Sequence, residues 1–154
     1  MNPLLLHVIH GALCGGCYAV SPLVDTVVKD GFGASLHGGG LWDRSTRSTP
    51  EQCHDIPPHD QRLTTLSGMS FGAAYQQKLL NDPQLTFWSR PTITAMLAAG
   101  TLRSGADLAM LHAIQVAHDM HGHGVVDTVV LVDLAWDPGL LKHAFRGAFH
   151  ASRV

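Results

Sequence analysis

Two cysteines near the start of the chain, Cys14 and Cys17, are separated by two glycines and form a CxxC motif. An apolar run precedes them and a helical pattern follows, so we expect the motif at a turn from a strand into a helix. Unpaired N–H groups and the helix dipole stabilise an anion there, which lowers the pKa of a first cysteine from about 8.5 to roughly 3.5–7.5. Cys14 is therefore the expected nucleophile toward a disulfide, and Cys17 is the expected resolving thiol.

Two alternatives stand beside this interpretation of the cysteines. The pair could be structural, or it could form a four-ligand zinc site with Cys53 and His54, although the long gap matches no compact zinc-finger spacing. We interpret Cys53 alone as a bystander to the redox pair. No Asp or Glu precedes Asp25, so no carboxylate upstream of the motif can accept a proton. We predict no metal and no cofactor, because exchange between thiols and disulfides needs neither.

Two short motifs typical of esterases also occur in the sequence. His37–Gly40 matches an HGGG oxyanion loop and Gly68–Gly72 matches a G-x-S-x-G nucleophile elbow. An elbow follows a strand, whereas residues 61–67 have the pattern of a helix end, so we interpret these glycines as the ends of a strand and a helix. Three further histidines are interpreted as the solvated end of a helix, where a protonated imidazole is favourable: His118, His121 and His123.

The elements that must position the motif are predicted from apolar periodicity. Residues 4–9 predict a strand, residues 19–28 a helix that Pro22 should kink, and residues 32–37 a second strand. Residues 43–58 are rich in Ser, Thr and Pro and predict a loop. Helices are then predicted at 58–66, 70–80, 89–102 and 108–118, and after two capping residues, Asp127 and Asp137.

Length and composition restrict the class of protein. The 154 residues are typical of one domain, and the net charge of −2 gives no basic excess for a nucleic-acid partner. No run of about 18 apolar residues predicts a membrane span. The cysteine count is odd and the first nine residues make a poor signal peptide, so we predict a cytoplasmic location.

Several segments match landmarks of a known family: Leu13–Tyr18, Ser21–Leu23, His37–Trp42, Pro58–Asp60, Ser67–Gly72, Ala113–Gln115 and Ala117–His118. Together they resemble the DsbA-like thiol–disulfide oxidoreductases of the thioredoxin superfamily, in a bacterial branch with a helical insertion. The resemblance covers nearly all of residues 4–150. It implies an α/β fold with a thioredoxin-like βαβ core and a large helical insertion. The implied organisation is one domain over 1–154, with the βαβ unit and CxxC motif in 1–42, the loop in 43–58 and the insertion in 59–151.

The resemblance also implies the activity. We expect a protein-disulfide oxidoreductase, similar to a protein disulfide isomerase, that exchanges disulfides through Cys14 and Cys17. Its partners would be protein or small-molecule thiols and disulfides. The alternative is a redox-inactive truncated relative, or a metal-binding or interaction module that keeps the motif.

The sequence departs from this family in three places. Gly11-Ala12 replaces the usual Asp-Pro, and Gly15-Gly16 replaces Gly-Trp, which should alter the redox potential. The resemblance implies a later cis-Pro, two strands and a closing helix, and we expect none of them in this sequence. Arg90–Thr92 lies in a helical pattern, and only three residues follow the last helical pattern, Leu140–Ala151. We therefore expect a sheet that is incomplete on its C-terminal side, whose open apolar edge favours self-association.

Overall fold

The computed structural model describes residues 4–152, and its first part is the βαβ unit that the sequence predicts. Strand β1 spans Leu5–His10, helix α1 Gly15–Ala19, helix α2 Ser21–Lys29 and strand β2 Gly33–Gly38. The two strands pair in parallel along their whole length. Parallel strands need a crossover between them, and α1 and α2 supply it. The CxxC motif therefore lies directly after β1, where the crossover begins.

The crossover is broken into two helices near Pro22. The sequence predicts one kinked helix over 19–28, whereas α1 ends before Val20 and α2 begins at Ser21, with Pro22 in its first turn. Proline is tolerated in the first turn of a helix because the N–H that it lacks has no helical partner there. Pro22 thus begins a helix and does not bend one.

Helix α3 spans Pro50–Ser67 and corrects the predicted loop over 43–58. Thr49 forms a capping box with Gln52: the Thr49 side chain accepts from the Gln52 N–H, and the Gln52 side chain accepts from the Thr49 N–H. Pro50 occupies the first helical position, which proline favours. The prediction treated prolines and threonines as loop formers, although these residues also start helices. The helix ends at Gly68, with φ 75°, as the sequence predicts.

The remainder of the described chain is mostly helical, as predicted. The elements are β3 (Thr46–Arg47), α4 (Ala73–Gln77), a 3₁₀ turn (Leu79–Asn81), β4 (Thr86–Phe87), α5 (Ser89–Leu102), α6 (Ala106–Gln115), a π-helical segment (Val116–Met120), α7 (Thr128–Leu134) and α8 (Lys142–Ala151).

The predicted helix caps are confirmed in part. Asp127 caps α7 by accepting from the N–H of Val129 at 2.8 Å. Asp137 begins no helix, because α8 starts only after Leu141. Ser70 caps no helix either, since Gly72 precedes α4.

The hydrophobic core lies in the helical part, with α5 packed against α6 and α8. The sheet is joined to this core at Gly38, where an added methyl group would overlap Ile93 of α5. The opposite face of the sheet exposes Leu5 and Ile9 of β1. In residues 4–152 the sheet has only these two strands, so each strand has an unpaired edge. None of the described helices is both long and apolar enough to cross a membrane.

Candidate active site

Cys14 is the N-cap residue of α1 and has an extended backbone, with φ −116° and ψ 110°. Its N–H donates to the carbonyl of Gly11 at 3.2 Å, and its carbonyl accepts from the N–H of Tyr18 at 3.0 Å. Cys17 lies one turn further along α1, and both thiols are free and half-buried. The turn from strand to helix is therefore the one that the CxxC spacing predicts.

The two thiols have opposite electrostatic environments. The Cys17 thiol donates a hydrogen bond to Cys14, and this hydrogen bond is the main reason why the Cys14 pKa is lowered to about 5. Burial acts in the opposite direction. The N–H groups of Cys17 and Gly16 and the charge of His59 lower the pKa further. The same hydrogen bond, followed by burial, raises the pKa of Cys17. The N–H of Gly11 donates to Cys17 Sγ at 3.3 Å and acts in the other direction. At neutral pH Cys14 is therefore a thiolate and Cys17 a thiol.

Two buried carboxyl groups interact electrostatically with the thiols, and no sequence pattern indicates that they are buried. Asp60 of α3 is 2% exposed and Asp119 of the π-helical segment is 1% exposed. Burial raises the pKa of Asp60 to about 6, against the charge of His59 and a hydrogen bond from Tyr75. Burial also raises the pKa of Asp119 to about 8, and the charges of Asp60 and Cys14 add to this increase. Both buried carboxyl groups thus come from the helical part of the chain, after the motif in sequence.

Two glycines allow close packing at the residues that carry these carboxyl groups. A methyl group on Gly15 would lie 2.9 Å from Asp60 Oδ1, so the carboxyl group packs against α1 only because position 15 has no side chain. The N–H of Gly72 donates to the carbonyl of Asp119 at 2.8 Å. A side chain on Gly72 would overlap the backbone of Met120. Such π-helical turns are often found at functional sites, and this one places Asp119 inside the core.

Aromatic rings pack beside Asp60 and the first turn of α1. The hydroxyl of Tyr18 donates to the carbonyl of Ser70 at 3.0 Å. The ring of Phe71 lies between Tyr18 and Tyr75, with centroid distances of 5.3 and 6.0 Å. Phe71 and Asp60 lie at the same place beside Gly15, and Tyr75 donates to Asp60, so Asp60 is buried among aromatic side chains, where its charged form is disfavoured.

The histidine cluster is only partly at a solvated helix end. His121 and His123 are exposed, but His118 is 2% exposed and its ring lies 5.3 Å from that of Tyr75. Burial lowers the pKa of His118 to about 4, so this histidine is neutral at physiological pH. The prediction was wrong for His118 because the π-helical segment turns it into the core.

The esterase and zinc alternatives lack the geometry that they need. Helix α3 ends at Ser67 and no strand precedes Ser70, so Gly68–Gly72 forms no nucleophile elbow. Within residues 4–152, no group of three or more His, Cys, Asp or Glu side chains lies together as a metal site would require. The zinc set of Cys14, Cys17, Cys53 and His54 is therefore not assembled; Cys53 packs against the hydrophobic core from α3.

Comparison with known proteins relates this chain to solved structures. No family model and no curated protein matches the sequence. The cytosolic disulfide reductase DsbM from Pseudomonas aeruginosa is 36% identical and has a TM-score of 0.82, over 97% of this chain and 77% of that chain. DsbM with GSH gives 36% identity and a TM-score of 0.81, over 97% and 78%. A candidate protein disulfide isomerase from Nitrosomonas europaea, at 18% identity, shares the fold with a TM-score of 0.84, over 99% and 74%.

Proposed function

Because this chain belongs to the DsbA-type thiol–disulfide oxidoreductases of the thioredoxin superfamily, we propose that Cys14 and Cys17 reduce protein disulfides with electrons from glutathione. The chain is a protein-disulfide oxidoreductase. We propose which residues carry out the exchange, the direction in which electrons flow and the thiol that supplies them. The observation that carries the proposal is the Cys14 thiolate at the N-terminus of α1, with the Cys17 thiol hydrogen-bonded to it.

The reduction proceeds in two exchanges. The Cys14 thiolate attacks one sulfur of a substrate disulfide, so a mixed disulfide forms and the other substrate sulfur leaves as a thiolate. Cys17 then attacks Cys14 Sγ, which closes the Cys14–Cys17 disulfide and releases the second substrate thiol. The substrate gains two electrons and the enzyme loses two. Thiolate at neutral pH is what the first attack requires.

Glutathione is proposed as the thiol that returns the enzyme to its dithiol form. A solved structure of DsbM contains GSH, and DsbM and this chain are similar over 97% of the present sequence. A low pKa for Cys14 stabilises the reduced form, so the Cys14–Cys17 disulfide accepts electrons readily from two glutathione molecules. The products are the enzyme dithiol and oxidised glutathione.

The cellular setting and assembly are proposed from the same relationship. DsbM is described as cytosolic, and a reducing compartment supplies the glutathione that this cycle consumes; we place the chain in the cytoplasm, acting as one domain.

The open edge of β1, with Leu5 and Ile9 exposed beside it, supports self-association. Light scattering tests this: the average mass should rise with protein concentration, and an Ile9→Lys variant should stay monomeric. A constant monomer mass in the parent would contradict it.

Insulin reduction in the presence of glutathione tests the function. The parent protein should accelerate the precipitation of reduced insulin, and Cys14→Ser should have no activity above the uncatalysed rate. Cys53→Ser is the matched control, because it removes a thiol outside the pair and should keep the parent rate. Equal rates for the parent and Cys14→Ser, or none for the parent, would contradict the proposal.

A further inference from the structure

Two histidines contact each other across the two strands of the parallel sheet. His7 Nδ1 lies 2.9 Å from His37 Nε2, and the ring centroids are 5.2 Å apart with 25° between the ring planes. His37 is the first residue of the HGGG motif, which has no oxyanion role in a chain without a nucleophile elbow. Both side chains are exposed, so this histidine pair is open to solvent, and it shares no residue with the CxxC site.

The strand pairing holds the two histidines on one face of the sheet. In the parallel register of β1 and β2, His7 lies opposite Ser35. His37 is two positions further along β2 and therefore points to the same face as Ser35. The Ser35 Oγ lies 3.3 Å from His37 Nε2, so a hydroxyl and two ring nitrogens converge at one place. Backbone pairing along both strands brings these atoms together before any ligand binds.

The distance between the two ring nitrogens matches that of two ligands on one metal ion. Bonds of about 2.0–2.1 Å from nitrogen to metal place two nitrogens about 2.8–3.0 Å apart at a 90° angle, and about 3.3–3.4 Å apart at a tetrahedral angle. The separation of 2.9 Å therefore fits neighbouring positions of a tetragonal site. Cu²⁺ and Ni²⁺ prefer that geometry, whereas Zn²⁺ prefers the tetrahedral one.

We propose that His7 and His37 bind Cu²⁺ or Ni²⁺ as a two-histidine chelate, with water in the remaining coordination positions. The metal lies to one side of the line between the two nitrogens, and both exposed rings turn toward it. The proton that the facing nitrogens share moves to the outer nitrogen of its own ring. His7 then carries its proton on Nε2 and His37 on Nδ1, and the Ser35 hydroxyl is placed to hydrogen-bond a metal-bound water.

The number of protein ligands defines what kind of metal site this is. Structural and catalytic zinc centres use four or three protein ligands, and no group of that size lies together among residues 4–152. Imidazole nitrogens favour late transition metals, while Mg²⁺ and Ca²⁺ prefer oxygen ligands. The histidine pair therefore takes an exchangeable transition-metal ion and holds no resident cofactor. The site is independent of the proposed disulfide chemistry.

Isothermal titration calorimetry with NiCl₂ tests the site in the full chain, purified without a histidine tag. All three cysteines are replaced by serine, because thiolates also bind these metals and would mask the histidines. His7→Gln and His37→Gln each remove one imidazole from an exposed position. His143→Gln is the matched control, because it removes an exposed histidine of α8. Circular dichroism and thermal unfolding check that every variant is folded.

The thiol-free chain should bind one Ni²⁺. His7→Gln and His37→Gln should each lower the Ni²⁺ affinity by about tenfold or more, since losing even an outer-shell partner of a ligand costs roughly 10–100-fold. His143→Gln should leave the affinity within about twofold of the thiol-free chain. The double variant of His7 and His37 should bind only slightly more weakly than either single variant, because one lost ligand already ends the chelate.

Two further measurements test the geometry of the chelate. Affinities should decrease in the order Cu²⁺, Ni²⁺, Zn²⁺. With one equivalent of Cu²⁺, the electron paramagnetic resonance spectrum should show two nitrogen ligands, and one fewer in His7→Gln or His37→Gln. Ni²⁺ should also raise the Tm of the thiol-free chain more than that of either variant, because the ion joins two strands of the folded state.

Four outcomes would overturn the inference. One is a Ni²⁺ affinity of His7→Gln and His37→Gln that equals that of His143→Gln. Another is a loss confined to one of the two variants, which would assign the metal to a single histidine with other ligands. One metal ion per two chains would place the ion between copies and refute the chelate completed by water. Tighter binding of Zn²⁺ than of Ni²⁺ would refute the argument from the nitrogen separation.

Discussion

Replacement of Cys17 by alanine tests whether its thiol sets the acidity of Cys14. The Cys17 hydrogen bond is the largest cause that lowers the Cys14 pKa to about 5. A hydrogen bond to a charged group contributes about 1.5–3 kcal/mol, and one pKa unit corresponds to about 1.4 kcal/mol. Its loss should therefore raise the Cys14 pKa by roughly one to two units. The N–H groups at the start of α1 and the charge of His59 remain and should keep the pKa below that of a free thiol.

The rate of alkylation by iodoacetamide as a function of pH measures this change. Near pH 5, the thiolate fraction of Cys14 should fall from about one half to between roughly one tenth and one hundredth in Cys17→Ala, and the rate should fall with it. Near pH 8 the two proteins should react at nearly equal rates, because both are ionised. Cys17→Ser, which keeps a hydroxyl donor, should give a smaller shift. A Cys17→Ala pKa within half a unit of the parent would refute the argument and assign the acidity to the helix N-terminus.

Three further predictions concern the surroundings of the thiols. His59→Ala should raise the Cys14 pKa by less than about one unit, because His59 is exposed, and added salt should remove the difference; a salt-independent shift in alkylation would contradict this. In urea unfolding, Asp119→Asn should be stabilised relative to the parent increasingly as pH rises from about 4 to about 8, because stability from a raised carboxyl pKa is present at low pH and lost as the group ionises; a constant difference would argue against burial as the cause. Gly72→Ala should lower Tm through overpacking of about 1–3 kcal/mol, whereas Gly124→Ala, which meets open space, should not; equal Tm values would refute the close backbone contact.

The local part of the fold could be predicted from the sequence. The change from a short apolar run to helical periodicity at Cys14 is a local signal, and it places the motif at the strand-to-helix turn that the structure shows. The stop at Gly68 and the cap at Asp127 are also local, because each depends on the conformation or hydrogen bonds of a few neighbouring residues.

The buried acid groups could not be predicted in the same way. Asp60 lies near the start of the predicted helix over 58–66, two residues after Pro58, and its burial depends on the contact between α3 and α1. Asp119 directly follows the predicted helix over 108–118, at a position where the sequence predicts a solvated helix end. Only the π-helical turn places it in the core. Long-range packing decides both cases, and a carboxyl group in a polar segment carries no sequence signal of burial.

The two glycines between the cysteines differ in the space that each position has for a side chain. A Cβ atom at position 15 would lie 2.9 Å from Asp60 Oδ1 and 3.3 Å from the Phe71 ring, whereas a Cβ atom at position 16 would meet only Cys14 Sγ, at 3.7 Å. Substitution is therefore sterically open at position 16 and closed at position 15, where the space is occupied by a carboxyl group from a different helix. In a library that randomises both positions, most variants would carry a side chain at position 15 and would therefore displace a buried acid group.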